Sequence, residues 1–169
     1  MKSVAQPITV KLKKTPAVVN AKASVLPPNR LPAFNRGIIE ESLTRRGMSR
    51  KLGVKILKIS QKIVQATMQV APEHLNRSGR VCGGILMTIG DLIGALGTLA
   101  NLPEEFRTTT LESKTNFFGA GQGPQLVATS VPLHIGRTTM VWQTTIANLD
   151  QSLVAIVTQT QIVIPQKKQ

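Results

Sequence analysis

Residues 80–97 read RVCGGILMTIGDLIGALG. Ile85, Leu86, Ile89, Leu92, Ile93 and Leu96 recur at i+3 and i+4 spacing, which predicts a helix opening at Gly83-Gly84. Its apolar residues lie nearly all round the axis, the pattern of a buried helix rather than a surface one. Asp91 is the single charge within that helix. A carboxylate among apolar neighbours is costly unless it is paired or put to use. Asn101-Leu102-Pro103 mark the helix end, because proline disfavours helix in the residue before it.

On the upstream side, GVKILKIS (53–60) and KIVQATMQVAP (62–72) alternate Val, Ile and Thr with polar residues and read as two strands. PEHLNRSGR (72–80) has loop composition, and its His74 is expected to be exposed. Further back, FNRGIIEESLTRR (34–46) predicts a short helix with Asn35 as N-cap. Downstream of Pro103 the period changes to two. Four strands are predicted, at about 107–118, 125–134, 138–148 and 152–163, parted by turn chemistry at GAGQGP, HIGR and NLDQS. Two strands, a buried helix and four more strands predict an α+β fold, a curved antiparallel sheet wrapped around a long central helix.

The chain has 169 residues, enough for one domain with a sizeable core, and 41% of them are hydrophobic. No run approaches the roughly 18 apolar residues of a spanning helix, so no transmembrane segment is expected. The lone Cys82 excludes an intrachain disulfide and fits a reducing, cytoplasmic setting. His74 and His134 are the only histidines, and no cluster has metal-ligand spacing. The net charge is +13, but residues 1–62 hold 14 Lys/Arg against Glu40 and Glu41 alone, so the excess sits in the N-terminal third. Residues 1–35 carry five prolines and no acid, and read as a basic flexible extension. Organelle targeting by this arm is the alternative. The organisation expected is an extension over 1–35, a domain over 36–164 and a short basic tail over 165–169.

An N-x-x-G ahead of V-C-G-G-x-x-x-x-x-x-D is formed by Asn76, Gly79, Val81, Cys82, Gly83, Gly84 and Asp91. Behind it runs TTTLESKTNFFGAGQGPQLVATSVPLHIGRTTMVWQTTIANLDQSLVAIVTQTQIVI (108–164). Together these resemble the PaaI-like (phenylacetic-acid-degradation) branch of the hotdog-fold acyl-CoA thioesterases, over roughly 36–164. The resemblance implies a hotdog fold and hydrolysis of acyl-CoA to free acid and CoA. It also implies a homodimer, or a dimer of dimers, in which the carboxylate of one subunit faces the helix N-terminus of the other. Asp91 would then be nucleophile or general base. Gly84 N–H would hold the thioester oxygen as it gains charge, and Asn76 would help hold the carbonyl. No cofactor is implied, coenzyme A being part of the substrate.

Substrate contacts carried over from the family fall on Cys82, Gly83, Thr110, Phe117, Phe118, Gly119, Ala120, His134, Ile135, Gly136, Arg137 and Thr138. Arg137 is the one cation of its loop and would meet a CoA phosphate, or is simply an exposed turn arginine. His134 is read as shaping the turn. In a regular strand Phe117 and Phe118 point to opposite faces, one to the core and one to the ligand. Cys82 departs from the branch, which has His there. It is a small buried spacer, a mark of altered catalysis, or a reactive thiol. Gly90, Gly94, Ala95 and Gly97 leave room for an acyl chain or let two helices pack closely. Trp142 reads as core or interface. A non-catalytic acyl-CoA-binding protein is the competing function, kept open by Cys82. A nucleic-acid or anionic-surface binder acting through the basic arm is weaker, since the chain has only four Phe, one Trp and no nucleic-acid motif.

Overall fold

The computed structural model of the chain describes Gly37, Ile39 and residues 47–166. A short helix α1 (Met48–Lys51) leads into β1 (Val54–Ile59) and β2 (Val64–Gln69). A 3-10 turn (Pro72–His74) and a loop then deliver the chain to the long helix α2 (Gly83–Leu99). The strands β3 (Phe106–Phe117), β4 (Gln125–Ile135), β5 (Thr139–Asn148) and β6 (Leu153–Pro165) follow. They form one antiparallel sheet in the order β1-β2-β4-β5-β6-β3. Strands β1 and β3 are its edges. The α2 segment therefore carries the chain from one side of the sheet to the other, packing on a single face as it crosses.

The expected α+β architecture holds; the boundaries of β3 to β6 fall within two residues of those predicted, and β2 ends at Gln69, three residues before the end of the run read as its strand. The helix predicted from Asn35 lies almost wholly outside the described residues. Gly37 and Ile39, which are described, are helical, and Ile39 is buried in the core. The arm over 1–35 and the tail from 167 lie outside the described residues as well.

Alternation explains the core. Val64, Ala66 and Met68 of β2, Leu126 and Ala128 of β4, and Val157 of β6 close on Leu86, Ile89, Ile93 and Leu96 of α2. Each such Leu, Ile or Met withdrawn from water contributes about 1.5–3 kcal/mol before chain entropy is set against it. Beyond the end of α2, Leu102, Met140, Trp142 and Val163 form a second cluster. Asn101 fastens this end, its Nδ2 donating to Gly97 O and to Gln61 O at 2.9 Å each.

The space at Gly90, Gly94 and Gly97 of α2 is filled by the sheet of their own chain. A Cβ at Gly94 would stand 2.6 Å from the Gln159 Cδ, and one at Gly97 would stand 2.7 Å from the Trp142 ring. Val157 lies equally tight against Gly90. The three glycines let α2 settle onto its own sheet, so that space is filled by β5 and β6 side chains. Trp142 is core, with no exposed surface.

Register irregularities bend four of the strand pairs, at Ile56/Lys58, Thr110/Glu112, Pro132/His134 and Ile146/Ala147. The one in β3 inserts Leu111 and reverses the parity of everything after it. Thr110, Ser113, Thr115 and Phe117 consequently share the face toward α2, although Thr110 and Phe117 are an odd number of residues apart.

Candidate active site

The approach to α2 is held from both sides. Cys82 N–H donates to His74 O at 2.9 Å, and Val81 N–H donates to Gly121 O at 2.9 Å. The intervening loop turns on Asn76, whose Oδ1 accepts from the backbone N–H of Ser78 (2.8 Å) and of Arg80 (3.2 Å). Gly79 completes the turn at φ +70°, a left-handed conformation that glycine adopts without steric cost. The Asn76 Nδ2 makes no hydrogen bond among the described residues and remains a donor.

At the helix start itself no side chain caps the backbone. The first N–H groups to find acceptors are those of Ile85 and Leu86, both on Cys82 O at 3.0 and 3.3 Å. Those of Gly83 and Gly84 have none among the described residues. Two uncommitted donors at the positive end of a helix form a receptor for developing negative charge. Access is unequal. Gly83 is covered by the Phe117 ring, whose Cζ lies 3.2 Å from where a Cβ would stand. Gly84 is open, with only Cys82 Sγ as near as 4.0 Å.

Asp91 is half-buried on the sheet-facing side of α2. Its Oδ1 accepts from the Thr110 hydroxyl of β3 at 2.8 Å and from Gln159 Nε2 of β6 at 3.4 Å. The same Nε2 donates to the Asp91 main-chain oxygen at 3.1 Å. Behind Thr110 stands Gln161, whose Nε2 donates to Thr110 Oγ1 at 2.7 Å and whose Oε1 accepts from Thr108 Oγ1 at 3.0 Å. Gln159 and Gln161 are both 1% exposed. Neither glutamine was singled out from the sequence. A signal was there, since in VTQTQIV both occupy the parity of Val157 and Val163, the core-facing one. Two amides on a buried face imply a buried polar partner.

Seven helical residues separate Gly84 from Asp91, about 10 Å at 1.5 Å per residue. Within one chain the structure thus gathers Asp91 with Thr110, and Gly83 with Phe117, as two separate groups. The HIGRT hairpin (134–138) lies beyond the Thr110 end, because Met140 pairs with Gln161 and Gln161 with Thr110. It is remote from Phe117–Ala120, some 23 Å away along β3 at about 3.3 Å per residue. Arg137 and Thr138 are exposed, and the His134 ring packs against Gly136, whose N–H donates to Thr139 O at 2.9 Å. Ile135 is exposed. Gly119 lies so close to Leu153 O, 2.6 Å from a notional Cβ, that no side chain fits there. Ala120 O accepts from Asn148 Nδ2 at 3.0 Å.

Three expectations are corrected. Cys82 is exposed rather than a buried spacer, because it is the N-cap residue of a helix that opens at the surface. His74 is buried at 4% exposure, its Nδ1 accepting from Ala71 N–H at 3.1 Å inside the 3-10 turn. Phe117 and Phe118 are not split between core and ligand. The strand ends at Phe117, the β3 irregularity has turned that ring toward α2, and the two are 53% and 59% exposed.

Residues 78–155 match the family model described as the Thioesterase superfamily. A 1,4-dihydroxy-2-naphthoyl-CoA hydrolase of Listeria monocytogenes is 21% identical over 110 residues, covering 65% of this chain and 89% of that protein. Among solved structures, a thioesterase family protein from Silicibacter pomeroyi superposes with a TM-score of 0.73 at 22% identity, over 78% of this chain and 98% of that one. A hypothetical thioesterase from Streptococcus pneumoniae, crystallised with coenzyme A, is 30% identical with a TM-score of 0.61. It is matched over 68% of this chain and 88% of its own. The six-stranded antiparallel sheet with its long helix matches the hotdog fold of these thioesterase neighbours.

Proposed function

This chain belongs to the thioesterase superfamily, and from that premise we propose that it hydrolyses acyl-CoA thioesters to free acid and CoA at a site shared by two subunits. The observation that carries the reading is the split just described. One chain holds an anchored carboxylate at Asp91 and an open helix donor at Gly84, about 10 Å apart along α2. That is too far for both to meet one thioester carbonyl.

Strand β3 is an edge of the sheet, with its outer backbone groups available for pairing. Antiparallel pairing of two β3 strands about a two-fold axis at Lys114, with Leu111 left as the extra residue, sets Thr110 opposite the partner's Phe117. Directly opposed residues in such a ladder are about 4.5–5.5 Å apart at Cα. Asp91, tied to Thr110, then lies beside the partner's helix start, which Phe117 covers. The uncapped N–H of Gly84 receives the thioester oxygen as it gains charge, with Asn76 Nδ2 as a further donor. Asp91 either attacks the carbonyl carbon or takes a proton from the attacking water. In both cases water is consumed, and the acid and the CoA thiol leave.

Acyl-CoA as substrate class is supported by the coenzyme A held by the pneumococcal neighbour and by the acyl-CoA substrate named for the Listeria relative. Asn76, Gly79, Val81, Gly83, Gly84 and Asp91 at the PaaI-like spacing support placement in that branch. Cys82 favours a second reading, a subunit that binds acyl-CoA without turnover. Thiol release from a panel of acyl-CoA esters, run on the intact protein and on Asp91→Asn, separates the two. Hydrolysis by the intact chain, reduced roughly 10²- to 10⁴-fold in the variant, is expected. Acyl-CoA bound but never cleaved by the intact chain supports the second reading.

A further inference from the structure

The Asp91 carboxylate is bonded on one side only. Both of its hydrogen bonds fall on Oδ1, while Oδ2 has no partner among the described residues. The bonds also have a direction. The Gln161 amide donates to Thr110 Oγ1 through Nε2, so the single Thr110 proton is free to point at Asp91. At the other end of the Gln161 amide, Oε1 lies 3.0 Å from the Thr108 hydroxyl, which shares its one proton with Ile162 O at 2.9 Å. Reversing the Gln161 amide would set its oxygen against Thr110 Oγ1 and draw the hydroxyl proton away from the carboxylate. Gln159 adds the second hold. Its side chain reaches Asp91 through the space that Gly94 leaves, bonding the residue's own main-chain oxygen and Oδ1 together.

We infer that Gln161 and Gln159 are positioning residues for the reaction, Gln161 acting through Thr110, and that together they lock Asp91 Oδ1 so that Oδ2 is the oxygen presented to substrate or water. The inference rests on the reading of Asp91 as the reacting carboxylate. Thr110 accordingly serves Asp91 instead of coenzyme A. Its hydroxyl has one proton, and that proton is committed.

Steady-state hydrolysis of the best ester is measured for Gln161→Met, Thr110→Val, the double variant and Thr110→Ser. Gln161→Met is expected to lower kcat about ten- to hundredfold, the range for one hydrogen bond to a charged group, with KM changed less than about threefold. Thr110→Val should lower it similarly, and the double variant should lose no more than about twofold beyond the worse single one, because the two act in series. Thr110→Ser, which keeps the hydroxyl, should recover most of the loss. Multiplying losses, or a fall confined to KM, would overturn the relay. Thr110→Val sits on a half-buried edge strand, so it answers the question even if Gln161→Met does not fold.

A second readout needs no turnover. A hydroxyl proton held against a carboxylate exchanges slowly with water and gives its own proton NMR signal. The intact protein should show that signal for Thr110, and Gln161→Met should lose it while the amide spectrum elsewhere is retained. An unchanged signal in Gln161→Met overturns the relay whatever the activity. An intact chain that shows the signal yet cleaves no thioester overturns the proposed hydrolysis instead, leaving the bonding arrangement established.

Discussion

Gly84 and Gly97 stand on one helix and lack a side chain for opposite reasons. At Gly84 a Cβ would meet nothing nearer than Cys82 Sγ at 4.0 Å, so the glycine preserves access to its bare backbone N–H. At Gly97 a Cβ would lie 2.7 Å from the Trp142 ring, so the glycine preserves contact between helix and sheet. The first turn of α2 is thus open for chemistry and the last turn is sealed for stability. One residue type near each end therefore says little until its opposite number is known, and the two ends should respond oppositely to the same kind of substitution.

The largest effect is expected from crowding the open end. Gly84→Val should abolish most thioester turnover, by about 100-fold or more, since a side chain there obstructs approach to the donor N–H. Its unfolding free energy should stay within about 1 kcal/mol of the parent, because valine is no worse than glycine in a helix. Denaturant unfolding run beside the thiol-release assay checks both halves. Gly97→Ala should do the reverse. The rigid Trp142 ring cannot yield easily, so overpacking should destabilise the chain by about 1–3 kcal/mol in the same melts. Turnover at low temperature should survive in the fraction that remains folded. Equal loss of stability at both positions would erase the contrast.

Much of this arrangement was legible in the sequence, and the limits are informative. The helix came from the i+3 and i+4 recurrence of its large apolar residues, and the strands from polar and apolar residues alternating at period two. The β3 irregularity did not, since a single inserted residue leaves an alternating Thr-rich strand looking regular on either side of Leu111. Without it Phe117 and Thr110 would face opposite ways, and the expectation for Phe117 and Phe118 failed because the strand ends between them. Asp91 stood out as a lone charge. Its partners did not, because Gln159 and Gln161 become meaningful only once β6 is known to lie under α2. Burial of His74 was equally hidden, since its loop composition gave no hint that the 3-10 turn would fold inward.

Comparable or smaller effects are expected away from α2, at the turns that hold the sheet ends. Asn148 ties three segments, accepting from Gln122 N–H at 2.9 Å and donating to Ala120 O and Ser152 Oγ at 3.0 and 2.9 Å. Asn148→Ala should cost about 1–3 kcal/mol through the buried groups it leaves unpaired. Hydrogen exchange should show faster opening of the 119–124 loop. Asp150 should give the least. Its hydrogen bonds from the side chain and backbone of Ser152 hold the carboxyl below its ordinary value. A lowered carboxyl contributes stability at pH above the unfolded value, and that contribution is lost as pH falls through the folded one. Ser152→Ala should move the Asp150 titration upward in a carboxyl NMR experiment; it also removes one acceptor of Asn148 Nδ2, so melts at neutral pH should fall, by less than for Asn148→Ala.

The most direct test of the shared site is subunit complementation between Asp91→Asn and Gly84→Val. Each variant alone has both sites damaged. Mixed and allowed to exchange, half of the dimers are hybrids, and in each hybrid one site receives an intact Asp91 and an intact helix start from different chains. The account predicts that the mixture regains about a quarter of the parent activity. A mixture that exchanges subunits and stays inactive would place the carboxylate and its helix donors in the same chain, contradicting the two-chain site.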